Sequence, residues 1–210
     1  PGAINWMQAG RGIVHSERRP DALRQTQMVV QGLQLWVALP EALEESQPAF
    51  AHTPADAIPS LQVGPAQVRV LVGEAFGARS PVVPASPTTF LDLQLPAGTP
   101  LELPSLATEL AVYSVSGELV VDGTPLAPGR MRVLESGQGA RLEARAASRV
   151  AVVGGEPLGH RHMWWNFVHS QPARIHQAAA DWEAGRFEPV PGETESIPLP
   201  AQRFVSPQPL

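Results

Sequence analysis

Two residues near the start of the chain, His15 and Glu17, have the side chains best suited to metal chemistry. They stand two positions apart in the stretch NWMQAGRGIVHSER, directly after Gly10-Arg11-Gly12. If Ile13-Val14-His15 is a β-strand, the two side chains project from one face, about 7 Å apart. An imidazole and a carboxylate suit a divalent metal, but a non-haem iron centre needs at least two histidines and a carboxylate. The pair therefore predicts half of a metal site.

The other histidines do not complete this site at the level of the sequence. His160 and His162 form a His-x-His pattern in GHRHMWW, but we interpret this stretch as an exposed loop before a strand that contains two tryptophans. His169 precedes a predicted helix and is expected near its cap. His52 falls in a proline-rich segment, and His176 falls on the polar side of the helix. We expect none of these five to be a ligand.

The Gly10-Arg11-Gly12 turn has two interpretations. In the first, the glycines simply allow a tight turn into the following segment, which is the interpretation that we favour. In the second, Arg11 pairs with a carboxylate and orients a metal ligand. Trp6 and Met7, just before the turn, are expected in the core or in a pocket wall.

The composition excludes several classes of function. The chain has 210 residues, 43% of them hydrophobic and 17% charged, which is typical of a globular protein. Because it has no cysteine, it has no disulfides, thiolate metal sites or cysteine nucleophiles, and we predict a cytoplasmic location. The net charge of −5, with no basic stripe, disfavours nucleic-acid binding. No apolar run approaches the roughly 18 residues that span a membrane.

The periodicity predicts an all-β fold. Short runs with strand-like alternation are separated by Gly, Pro or Asp-Gly, which is typical of a sandwich or barrel. They cover residues 13–15, 33–39, 66–74, 89–95, 109–123, 129–136, 140–146 and 148–155. Near the C-terminus, a helix is predicted over about 172–184, with Pro172 in its first turn and Gly185 at its end. An extended, proline-rich tail follows.

The opening segment resembles the signature of the pirin family, which reads close to P-G-x-x-x-W-M-x-A-G-R-G-I-x-H-S-E. Further resemblance lies in GLQLWVALP, VRVLVGEAFGARSPV, VVGGEPL, MWWNFV and DWEAGRFEPVPGETESIPLP. The resemblance therefore extends over nearly the whole chain. The residues that match the signature are Pro1, Gly2, Trp6, Met7, Ala9, Gly10, Arg11, Gly12, Ile13, His15, Ser16 and Glu17.

This resemblance implies two tandem cupin domains, which are jelly-roll β-barrels, with the first one incomplete. Residues 1–48 would be the C-terminal part of the metal-binding cupin, 49–62 a linker, and 63–210 the second, metal-free cupin with its helix and tail. Pirins hold one metal, usually Fe(II), and His15 and Glu17 match two of its four ligands. The other two belong to a His-x-His-Arg-Gly segment, expected upstream of Pro1. Such ligands also accept Mn, Co, Ni, Cu or Zn.

The family resemblance also implies a function. Several pirins are quercetin 2,3-dioxygenases, so we expect a flavonol as substrate, with Glu17 as the catalytic base and His15 as a spectator ligand. A second interpretation is an iron-binding regulatory module that associates with a protein partner and has no turnover. A third is an inactive fragment in which His15 and Glu17 form an orphaned half-site.

Overall fold

The computed structural model describes residues 2–19, 21–27, 29 and 32–206. It divides the chain into two compact units, each built from two separate stretches. The first unit comprises Pro1–Met7 and Phe50–Pro157, and the second comprises Gln8–Ala49 and Leu158–Leu210. The units are divided after residues 7, 49 and 157, whereas the expected domain boundaries lie at residues 48 and 62. Those domain boundaries stay a prediction.

Most of the regular structure is β. In chain order, the strands of the described residues are β1 (Ile4–Gln8), β2 (Ala49–Thr53), β3 (Ser60–Val63), β4 (Ala66–Val72), β5 (Glu74–Ala75), β6 (Ala78–Arg79), β7 (Thr88–Leu95), β8 (Thr99–Leu103), β9 (Glu109–Ser116), β10 (Leu119–Val121), β11 (Thr124–Leu126), β12 (Met131–Val133), β13 (Ala140–Ala144), β14 (Ser148–Gly155), β15 (His162–Trp164) and β16 (Phe167–His169). The one α-helix in this part of the chain is α1 (Pro172–Glu183). The predicted mostly β fold with a short C-terminal helix is confirmed.

Two large antiparallel sheets form the main core of the first unit. One has six strands in the order β12-β9-β14-β7-β4-β3, and the other has four in the order β11-β10-β13-β8. Strand β8 alternates strictly, with Leu101 and Leu103 buried and Glu102 exposed between them, as expected for a strand with one face on the core. Leucines and valines from both sheets, such as Leu93 and Leu142, form a single core. Jelly-roll cupins have this two-sheet arrangement.

Local turn and helix signals agree with the structure. Asp122 and Gly123, with φ of 48° and 74°, connect β10 to β11, whose last pair is Val121 opposite Thr124; two positive φ values are typical of a type I′ turn. Pro172 begins α1, and Ile175 is the buried residue on the apolar face of this helix. None of the described helices is long and apolar enough to cross a membrane.

Two predicted strands are wrong. Residues 13–15 and 33–39 have no strand structure, because no described segment pairs with their backbone groups. A strand is stable only where a neighbour satisfies these groups. Leu33, Leu35, Trp36 and Val37 are accordingly 38 to 52% exposed. The segment 49–62, expected to be a linker, contains β2, which pairs with β1, and β3, which joins the six-stranded sheet.

Candidate metal half-site

His15 and Glu17 lie in the second unit, in an irregular segment between the Gly10-Arg11-Gly12 turn and Arg19, and both are exposed. An exposed imidazole and carboxylate are accessible to a metal ion without any rearrangement of a core. Among the residues that the structure describes, no group of three or more His, Asp or Glu side chains is arranged to hold a metal. The described residues thus contain the predicted pair and no third ligand beside it.

Close packing explains both glycines of the turn. Gly10 has a φ of +50°, and a Cβ there would lie 2.1 Å from the carbonyl oxygen of Ser46. The same oxygen accepts a hydrogen bond from the backbone N–H of Arg11 at 2.9 Å. Gly12 has a φ of +133°, and a Cβ there would lie 2.7 Å from Cε1 of Phe187. This geometry supports the structural interpretation of the turn, and the Arg11 side chain is exposed.

The C-terminal tail binds the residue that follows Glu17. Nε of Arg18 donates to a carboxylate oxygen of Glu193 at 2.8 Å, and Nη2 donates to Glu193 and, at 2.9 Å, to Glu195. The Arg18 guanidinium, together with a hydrogen bond from the Ser16 side chain, lowers the pKa of Glu193 to about 2. The two carboxylates in turn raise the pKa of Arg18. We call these contacts the tail clamp.

An open depression of about 490 Å³ borders Glu17 and the tail clamp. Its rim is charged, with arginines and one glutamate on the N-terminal segment and two glutamates on the tail. A flavonol needs apolar walls with a few polar groups, and this depression does not have them. The lining side chains that carry charge are Glu17, Arg18, Arg19, Arg24, Glu193 and Glu195.

A buried ion pair, which the sequence analysis missed, lies elsewhere in the second unit. The side chains of Glu44 and Arg161 are 7% and 8% exposed, and Nε of Arg161 is 2.7 Å from Oε1 of Glu44. That contact is misaligned for a hydrogen bond, so the attraction is mainly Coulombic. Glu44 also accepts hydrogen bonds from the backbone N–H of Ser170, at 3.0 Å, and from its hydroxyl. Nothing in the local sequence around either residue signals this pairing.

The remaining histidines have structural partners or exposed positions. Nδ1 of His169 accepts the backbone N–H of Gln171 at 2.9 Å, directly before α1, as expected for a residue near the cap. The rings of His160 and His162 are 4.6 Å apart, edge to face, at the start of β15. His52 bonds to Asn5 through Nδ1 at 2.7 Å, and His176 is exposed on α1.

Trp6 and Met7 have different environments. Trp6 is half-buried and packs against a small apolar cluster of the first unit that includes Ile58 and Val82. Met7 is 37% exposed. Trp6 therefore lies at the edge of the core of the first unit.

Comparisons with known proteins agree with this architecture. The family model described as "Pirin" matches residues 1–37, and that described as "Pirin C-terminal cupin domain" matches residues 90–188. A pirin-like protein of Caulobacter vibrioides is 42% identical over 202 residues, which are 95% of this chain and 70% of the relative. Rat pirin is 31% identical, over 75% of this chain and 55% of its own.

A solved structure is also similar to this chain over most of its length. The crystal structure of a quercetin 2,3-dioxygenase from Acinetobacter baumannii is 30% identical and superimposes with a TM-score of 0.80, over 97% of this chain and 69% of that one. The chain thus spans between 55 and 70% of the length of these three proteins. On the matched signature segment, the cupin domain and the relationship to the Caulobacter protein, the chain belongs to the pirin family.

Proposed function

We propose that the protein is a metal-dependent dioxygenase of the quercetin 2,3-dioxygenase type, acting on a flavonol with non-haem Fe(II). The observation that carries this proposal is the likeness, over 97% of the chain, to a solved protein named quercetin 2,3-dioxygenase. The proposed reaction opens the flavonol heterocycle with dioxygen and releases carbon monoxide. We assign this activity to the whole protein and not to the two compact units separately.

The donor chemistry of His15 and Glu17 fits Fe(II) and its neighbours in the first transition series. The number of donors does not fit a complete centre, because the described residues contain no third ligand in reach. We therefore propose that His15 and Glu17 are two of four protein ligands and that the two others come from outside these 210 residues. No reaction step is assigned to the metal on this basis.

Glu17 has a second proposed role. A carboxylate next to a bound substrate can accept its proton, and Glu17 is exposed, so a ligand that enters from solvent can reach it. We propose that Glu17 accepts the proton of the flavonol 3-hydroxyl, which leaves the substrate as the more electron-rich flavonolate anion. His15 holds its position and takes no part in proton transfer.

One observation favours a second candidate function, an iron-binding protein-interaction module without turnover. The depression that borders Glu17 has a charged rim, which suits a polar protein partner better than a flat aromatic molecule. The two candidates differ in one measurable property. An enzyme releases carbon monoxide from a flavonol, whereas a binding module retains the metal and releases none.

The test uses the complete gene product, purified without chelators, with iron measured by elemental analysis and carbon monoxide measured during incubation with quercetin. We expect about one iron per chain, lost in H15Q and E17Q and retained in H176Q, the control for removal of an exposed histidine. Iron without carbon monoxide would support the interaction module. Wild-type protein without any metal would refute both candidates.

A further inference from the structure

We propose that Glu193, on the C-terminal tail, is a positioning residue that fixes the segment carrying His15 and Glu17. This inference rests on the proposed function, because it concerns the same half-site. The tail would hold the segment at Arg18, directly after Glu17, and thereby take the place of a neighbouring strand. The residue would act through Arg18 and would not touch the metal.

The contacts of Glu193 show why it is the central residue of the tail clamp. Both of its carboxylate oxygens accept hydrogen bonds from Arg18. The Glu193 side chain is only 19% exposed, whereas that of Glu195 is 77% exposed. Glu193 is therefore enclosed by its partners, and Glu195 adds a contact at the edge.

The position of these contacts connects the tail to the ligand pair. Arg18 directly follows Glu17, and both residues line the same depression together with Glu193. Residues 12–19 have no strand structure, so no ladder of backbone hydrogen bonds holds this segment in place. The contacts between Glu193 and Arg18 supply the anchoring that a neighbouring strand would otherwise give.

The tail itself is held on both sides of Glu193. Before it, Phe187 stacks on Phe167 at a centroid distance of 6.1 Å and lies against Gly12. After it, the carbonyl oxygen of Ile197 accepts a hydrogen bond from Nε1 of Trp182 at 2.9 Å. Because the tail is anchored at both points, Glu193 is a fixed reference for the segment. A freely moving surface glutamate would not be.

The first experiment measures the anchoring without any metal. Hydrogen exchange of the amides of residues 15–18 is compared in wild type, E193A and E183A. Glu183 is the matched control because it is an exposed glutamate of the same unit that pairs with an arginine, Arg203. We expect exchange at least fivefold faster in E193A and unchanged in E183A. Equal exchange in all three proteins would overturn the proposal.

The second experiment measures metal affinity, with Co(II) titrated into the complete gene product and followed by its absorption spectrum. We expect about tenfold weaker binding in E193A, wild-type binding in E183A and no binding in H15Q. Weakened binding in H15Q with unchanged binding in E193A would refute the positioning role and leave the proposed function intact. No binding to wild type would refute the proposed function and the positioning role together, while faster exchange in E193A would still establish the tail contact.

Discussion

The ion pair between Glu44 and Arg161 is almost fully buried, and replacing Glu44 by alanine tests how the second unit is held together. Glu44 lies shortly after a short 3-10 turn at Glu41–Leu43, and Arg161 directly precedes β15. The substitution E44A leaves the guanidinium without its closest carboxylate. It also removes the acceptor of the Ser170 backbone N–H and hydroxyl.

The size of the effect follows from these contacts. Removing one partner of a buried ion pair typically costs about 3–5 kcal/mol. Arg161 retains acceptors, however, because it also donates to the carbonyl oxygens of Leu39 at 2.8 Å and Leu158 at 2.9 Å. This retention lowers the expected cost, whereas the donors left unpaired at Ser170 add about 1 kcal/mol or more. We therefore expect E44A to lower the free energy of unfolding of the second unit by about 3 kcal/mol.

The assay is urea unfolding followed by tryptophan fluorescence. Trp36, Trp164, Trp165 and Trp182 fall in the second unit and only Trp6 in the first, so the signal reports mainly the second unit. The far-ultraviolet circular dichroism is recorded in parallel, because a chain with two units need not unfold in a single transition. The control is E183A, which removes an exposed partner of Arg203.

Two results would refute this reasoning. The first is an E44A protein within about 1 kcal/mol of wild type, which is the range of surface ion pairs. The second is strict additivity in a double-mutant cycle, which tests where the lost free energy of unfolding comes from. If it comes from the stranded guanidinium, a double-mutant cycle of E44A, R161M and E44A/R161M should show a coupling energy of about 1.5 kcal/mol or more. Strict additivity would show that the two side chains do not depend on each other.

Three further predictions concern other parts of the molecule. G10A should destabilise more than G185A, by about 2 kcal/mol in urea unfolding, because both glycines have positive φ but only at Gly10 would a Cβ meet a backbone oxygen; equal costs would contradict the clash. L142A should cost about 3 kcal/mol in unfolding followed by circular dichroism, since Leu142 is fully buried in the core; a cost below about 1 kcal/mol would contradict its burial. Folding lowers the pKa of Glu193 from 4.5 to about 2, so its stabilising contribution is complete above pH 4.5 and is lost as the pH falls toward 2. The melting temperature of E193Q should therefore decline less than that of wild type between these pH values. Parallel declines of the two proteins would contradict the pKa shift.

Features that depend on neighbouring residues in the chain could be predicted from the sequence. The Asp122-Gly123 turn, the alternation in β8 and the start of α1 at Pro172 each follow from local backbone preferences and side-chain periodicity. The strands predicted at 13–15 and 33–39 are wrong because strand formation also depends on residues that are distant in the chain. Alternation signals a strand, but only a partner strand makes one, and no described segment pairs with either stretch.

The amino-acid sequence by itself determined the mostly β character of the chain, its pirin signature and the presence of His15 and Glu17 at a ligand-like spacing. Only the tertiary structure decided what surrounds them. Arg18 and Glu193 are 175 positions apart, and Glu44 and Ser170 are 126 apart. No periodicity or local propensity relates residues at such separations, because their contact depends on how the whole second unit folds. For this reason His15 and Glu17 are visible in the sequence, and the carboxylate of Glu193 that binds the neighbouring Arg18 is visible only in three dimensions.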